Sequence, residues 1–201
     1  MRQWFGPSRA EIWRQLSEAV GATYVKGGFL KGDKVEATHK EWVVTLDTYV
    51  VPAGKTYIPC TRIRAPFINP SGFRFTVYRK SIFSGIAKAL GMQDIEVGDE
   101  VFDRDFIVKA SDESRSRTLL SNPRLRELIA RQPEIHLSVK DDEGWFATRF
   151  PDGVDELYFS VTGIITDIDR LKTLFDLFAE VLDALVALGS ADPGPAEVKL
   201  R

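Results

Sequence analysis

The chain has 201 residues, 44% of them hydrophobic and 28% charged, with a formal net charge of −2, the make-up of an ordinary globular domain with enough apolar material for a core. One cysteine, Cys60, excludes an intramolecular disulfide, and no run of about 18 uncharged apolar residues exists to span a membrane. The N-terminal stretch MRQWFGPSRAEIW lacks the apolar core of a secretory signal, so the expected setting is the cytoplasm.

The near-neutral total hides an asymmetry. Residues 1–90 carry 14 Lys and Arg against 6 Asp and Glu, net +8, and residues 91–201 carry 13 against 23, net −10. Opposite charge on the two parts favours their mutual attraction within one fold, and it also offers a basic surface to an anionic partner.

The elements follow in chain order. Ser8 and Glu11 have the spacing of a capping box; Ile12, Trp13, Leu16 and Val20 recur at helical spacing behind them, and Gly21 ends the helix. Strands are expected over 22–25, 35–39, 41–51, 57–66 and 73–79, separated by Gly27-Gly28, Gly32-Asp33, Pro52-Ala53-Gly54 and Asn69-Pro70-Ser71-Gly72. SIFSGIAKALG (81–91) reads as a short helix capped by Ser81 and closed by Gly91. An acidic segment then leads into an expected strand over 103–110. Two helical pieces follow, capped by Ser111 or Asp112 and by Asn122 with Pro123 at its first position. Further strands are expected over 134–140, 145–150 and 157–165, then a helix from about Asp167 to Leu188 closed by Gly189, and a frayed tail over 190–201.

The fold class is therefore α+β, with a mainly antiparallel sheet, helices packed on one side and a long C-terminal helix, in a single domain over 1–189. FRFTVYRKSIFSGIAKAL lays on LYFSVTGIITDIDRLKTL without gaps, matching Phe75 to Phe159 and Val77 to Val161, which suggests two similar halves over about 1–91 and 92–189.

Between Asp94 and Asp105 stand six carboxylates: Asp94, Glu96, Asp99, Glu100, Asp103 and Asp105. A calcium loop needs Gly at its sixth position and Glu at its twelfth; counted from Asp94 these are Asp99 and Asp105, so the pattern fails. Two-residue alternation instead puts Phe102, Arg104, Phe106 and Val108 on one face and Asp103, Asp105, Ile107 and Lys109 on the other. Asp103 and Asp105 then share a face; a plain turn leading into a strand is the first reading, an ionic contact with the basic half the second, and a metal or catalytic pair the third. AGKT (53–56) has Tyr49 where a phosphate-binding loop needs Gly, and strands on both sides, so it is a hairpin turn. His39 and His136 have no Cys or His at zinc-ligand spacing, and nothing in the sequence brings Cys60 beside either. No cofactor is implied.

Two surfaces remain. Alternation places Arg62 and Arg64 on one face of their strand, and Arg74, Tyr78 and Lys80 on one face of another. Together they form a candidate anion or single-stranded nucleic-acid face. In the last helix Leu171, Leu174, Phe175, Phe178, Val181, Leu182, Leu185 and Leu188 make an apolar stripe that packs on the sheet and offers a homodimer contact.

GMQDIEVG, FDRDFI, DDEGWF and PDGVDELYFSVTGIITDIDRLKTLFDLF together resemble a conserved family of bacterial proteins of unknown function, over about Ile63–Ala191. The resemblance implies a bacterial, intracellular setting and brings no activity, cofactor or catalytic residue. The expected function is that of a non-catalytic cytoplasmic binding or assembly module; an anion or nucleic-acid binder and an enzyme working through Asp103 and Asp105 are the alternatives.

Overall fold

The computed structural model describes residues 7–28, 32–82, 93–141, 150–198 and 200. Helix α1 (Arg9–Val20) begins as its capping box requires: the Ser8 N–H donates to Glu11 Oε2 at 2.7 Å and the Glu11 N–H to Ser8 Oγ at 3.3 Å. It ends at Gly21, whose φ of 66° is left-handed and cheap only for a residue without Cβ. Then come β1 (Thr23–Val25), β2 (Lys34–His39), β3 (Trp42–Ala53), β4 (Thr56–Ile68), β5 (Phe75–Arg79), a 3-10 turn (Lys80–Ile82) and β6 (Gln93–Ile95). The second half runs α2 (Glu100–Asp105), β7 (Phe106–Ala110), α3 (Glu113–Leu120), α4 (Pro123–Ala130), β8 (His136–Lys140), β9 (Val154–Thr162) and α5 (Ile168–Ala187). The expected helix over 81–91 and strand over 145–150 lie outside the described residues, apart from their ends.

The nine strands among the described residues join one sheet in the order β1-β2-β3-β4-β9-β8-β5-β7-β6, every neighbouring pair antiparallel. The α+β class follows directly. The sheet also crosses the boundary between the two suggested halves: β4 pairs with β9, and β5 with β7 and β8.

The register explains the layering. Val35, Leu46, Ile63, Phe159, Leu137, Val77, Val108 and Ile95 stand opposite one another in a continuous row across eight strands, none more than 7% exposed. One residue along, on the other face, the row reads Glu36, Thr45, Arg64, Tyr158, Ser138, Thr76, Lys109, Asp94. Side chains alternate with period 2 in strands, so along these two rows one face is apolar and the other polar. The core consists of the apolar row and its neighbours with Trp13 and Leu16 of α1, Leu119 and Leu120 of α3, Leu125 and Leu128 of α4, and the α5 stripe.

Seven of the eight stripe residues of α5 are buried in this core and Leu188 is half-buried against it. The apolar surface suggested for a homodimer contact is thus taken up within the chain. Nor does the chain leave the fold directly after Gly189: Ser190 and Ala191 are buried, and the Asp192 N–H donates to the Ile68 carbonyl at 2.9 Å.

The acidic segment differs from its expected strand. Residues 100–105 form α2, capped by Asp99, whose carboxylate accepts from the Val101 and Phe102 N–H groups. Phe102 and Phe106 are four apart, a spacing one helical turn satisfies as well as an alternating strand does, and their rings stack at 4.6 Å. Asp103 reaches back to accept from the Val97 and Gly98 N–H groups, both at 2.8 Å, and so fixes the loop before the helix. Asp103→Ala orphans both donors and should lower unfolding free energy by about 1–2 kcal/mol in a urea titration; an unchanged midpoint would deny the clamp.

Candidate functional site

Of the five residues of the proposed basic face, Arg62, Arg64 and Tyr78 stand at polar-face positions of the register, Arg74 and Lys80 lie just outside the ends of β5, and the strand order separates the β4 pair from the others. Arg62 and Arg64 lie on β4, and Tyr78 on β5, with β9 and β8 in between. Each is also engaged. Asp47 on β3 stands opposite Arg62, takes a two-pronged contact from its Nε and Nη2, and accepts from Arg64 Nη2 at 2.6 Å. Arg64 is only 1% exposed, so this carboxylate neutralises charge out of reach of water. Arg74 pairs with Asp155 through Nη2 at 3.3 Å and with Asp141 through Nη1 at 2.8 Å. Tyr78 is buried, which pushes its phenol pKa up, and Lys80 donates to the Asp103 carbonyl at 2.7 Å.

Asp103 and Asp105 do not meet either. Asp103 lines a cavity of about 520 Å³ with Lys80, Asp94, Glu96 and Arg117, whereas Asp105 lines another with Val101, Phe102 and Arg126. The hydrogen bond from Arg104 Nε at 2.8 Å, with the Arg104 charge, holds Asp105 below the usual carboxylate range. Helix geometry explains the separation, because residues two apart on a helix point in different directions. Among the described residues no three His, Cys, Asp or Glu side chains gather to hold a metal ion.

A different feature stands out at the far end of β3 and β4. Pairing of β3 with β2 stops at Leu46, and pairing of β4 with β9 stops at Thr61, yet the β3–β4 ladder continues to Ala53 and Thr56. The turn at the tip works because Gly54 takes φ 63°. The result is a two-stranded arm that runs on past the β2 and β9 ladders, tied at its foot by the Gly163 N–H donating to the Pro59 carbonyl at 2.7 Å, and rich in β-branched and aromatic residues that stay exposed. Val50 is 59% exposed and Tyr57 73%, with Val51 and Ile58 at about 40% beside them. Strands over 41–51 and 57–66 joined by a hairpin turn were expected here; the sequence signal for the exposed arm was VVPAGKTYI, apolar on both faces of that hairpin.

At the foot of the arm lies a groove of about 380 Å³ on the polar face. Val51, Ile58, Ile135 and Val161 supply apolar wall, and Tyr49, Cys60, His136, Ser160 and Thr162 supply polar atoms, with Glu134 completing the lining. The fold thus brings Cys60 and His136 to one cavity, a juxtaposition invisible in sequence because β4 and β8 are joined only through β9. Burial, helped by the Lys140 charge, lowers the His136 pKa to about 4, so its ring is neutral near pH 7. The Tyr158 hydroxyl donates to that of Tyr49 at 3.3 Å, and burial, reinforced by this bond, raises the Tyr158 pKa well above the ordinary phenol value. The Arg62 guanidinium sits 5.1 Å from the Tyr49 ring centre and Lys140 Nζ 3.2 Å from that of Tyr158.

No helix among the described residues is long and apolar enough to cross a membrane. No protein-family model matches the chain, and no curated protein matches it in sequence. A solved structure does: the mycobacterial trehalose monomycolate transport factor A, TtfA, superposes with a TM-score of 0.53 over 94% of this chain and 98% of that one, at 8% identity, so the two chains share a fold.

Proposed function

We propose that the chain is a non-catalytic binding or assembly module that engages a protein partner through the β3–β4 arm. The observation that carries this reading is the arm itself. A two-stranded ribbon with four exposed apolar side chains gains nothing within the chain from leaving them in water, and exposed apolar patches of this kind mark interaction surfaces. The pairing of the basic residues with carboxylates favours it over an anion-binding face, and the separation of Asp103 from Asp105 favours it over an acidic active site. The structural neighbour's role as a transport factor is in keeping with a protein that works by contact. A cytoplasmic setting belongs to the same reading, on the strength of the free Cys60.

The test is site-specific photo-crosslinking in the native host, with a photoreactive residue at Tyr57 and, for comparison, at Asp169, which is exposed on the first turn of α5. A discrete adduct is expected from position 57 alone and is lost when Val50→Asp is added. An adduct of twice the chain mass would identify the partner as a second copy. The same adducts from both positions, or none from position 57, would overturn the reading.

A further inference from the structure

The groove at the foot of the arm has a chemistry of its own. Its walls are mainly apolar, and among the described residues that line it there is no Lys or Arg and Glu134 is the one carboxylate. Its remaining polar groups are neutral. His136 is held uncharged near pH 7 by burial and by the Lys140 charge. A neutral imidazole offers one donor and one acceptor, and Tyr49, accepting from Tyr158, keeps its own O–H proton to give. A volume of about 380 Å³ falls within the range of small-molecule sites, which typically combine apolar walls with a few convergent polar groups.

We propose that this groove is a binding site for a neutral, predominantly apolar small molecule carrying one hydrogen-bonding group, which His136 and Tyr49 orient against the wall formed by Val51, Ile58 and Ile135. An anion meets no cation in the lining and faces Glu134, so it is rejected. The proposal shares Val51 and Ile58 with the arm but does not depend on the arm's having a protein partner.

The probe is N-phenyl-1-naphthylamine, a neutral fluorophore with a single N–H that brightens in apolar surroundings. Its anionic counterpart, 8-anilinonaphthalene-1-sulfonate, has the same ring skeleton plus a sulfonate. Saturable one-to-one binding of the neutral probe is expected, with the sulfonate at least about tenfold weaker because its charge would go unpaired. Thr162→Trp, at an exposed position on the rim, should weaken the neutral probe about tenfold by filling the groove. His136→Leu should weaken it roughly fivefold, the worth of one hydrogen bond. Ser160→Phe serves as the blocking variant should Thr162→Trp fail to fold. Absence of saturable binding overturns the proposal, as does equal affinity for the sulfonate or undiminished binding in the blocked variant. Val50→Asp, added to the chain that carries the photoreactive residue at position 57, separates the two ideas. Its loss of crosslinked partner with probe binding intact leaves both standing, whereas an intact partner with no probe binding in the parent chain removes the groove alone. Exclusion of the probe only when the protein partner is bound, with no binding in the free chain, would assign the groove to a partner side chain and overturn the proposal.

Discussion

Asp47→Ala should lower the unfolding free energy by about 3 kcal/mol, moving the urea midpoint down by roughly 1 M or more. The carboxylate sits between two guanidiniums, accepting from Arg62 at 3.1 Å and from Arg64 at 2.6 Å on the same oxygen. Removing it leaves two cations side by side on neighbouring positions of one strand face, one of them 1% exposed. Desolvation makes that arrangement costly, since a buried charge without its counter-ion loses both water and partner. The effect stays at the lower end of the range for breaking buried pairs because Arg62 is 18% exposed and both arginines make further contacts. Adding Arg64→Met to Asp47→Ala should recover part of the loss, since the charge that lacked compensation is then gone. A single-variant loss below about 0.5 kcal/mol would mean the pair behaves like an exposed one.

The second large effect is a pH dependence centred on His136. Its folded pKa is about 4 against an ordinary value of 6.5. The folded chain therefore resists a proton that the unfolded chain accepts, and stability is full above about pH 6.5 and falls as acid is added down to about pH 4. The difference between the two values corresponds to about 3 kcal/mol. The groups around the ring do not rescue it: Lys140 on the same strand opposes protonation, Tyr78 opposite on β5 is a neutral phenol, and Glu134 stands two residues away outside the strand. His136→Gln should remove most of the slope between pH 6.5 and 4 in urea titrations while leaving stability at pH 8 within about 1 kcal/mol. An identical slope in the variant would assign the acid sensitivity to carboxylates. Asp183 is one that contributes lower down: burial raises its pKa, but hydrogen bonds from Lys40 and His39 outweigh that and lower it, so its contribution is lost as pH falls through the folded value.

The helix ends were legible because their chemistry is local. Ser8, Gly21, Asn122 and Pro123 each act on backbone groups within four residues, so spacing alone locates them, and it narrows the cap of α3 to Ser111 or Asp112, of which the structure selects Asp112. The strands were legible from alternation, which also assigned Arg62 and Arg64 to the polar face. Strand order was not, because nothing near Arg62 in the chain says that Ser160 stands on one side of it and Asp47 on the other. That information decides whether an arginine is a free cation or half of a pair, and it kept the basic face looking open. The helix at 100–105 escaped because Phe102 and Phe106 satisfy two periods at once. The groove escaped for a topological reason: its lining comes from β3, β4, β8, β9 and the residues just before β8, a meeting that exists only once the sheet has closed.

The strand order also has a consequence for the birth of the chain on the ribosome. Thr61 of β4 finds its partner in Val161 of β9, about a hundred residues later, and Val77 of β5 waits for Leu137 of β8. At typical elongation rates, roughly 5 to 20 s pass between the emergence of β4 and that of the strand that covers its edge. During that interval the β1–β4 meander exposes an unpaired edge beside an apolar face that α5, made still later, has yet to cover. Nascent chains of this fold are therefore most open to edge-to-edge association until β9 has emerged and to association through the apolar face until α5 has, and dependence on holding chaperones should end once both are out.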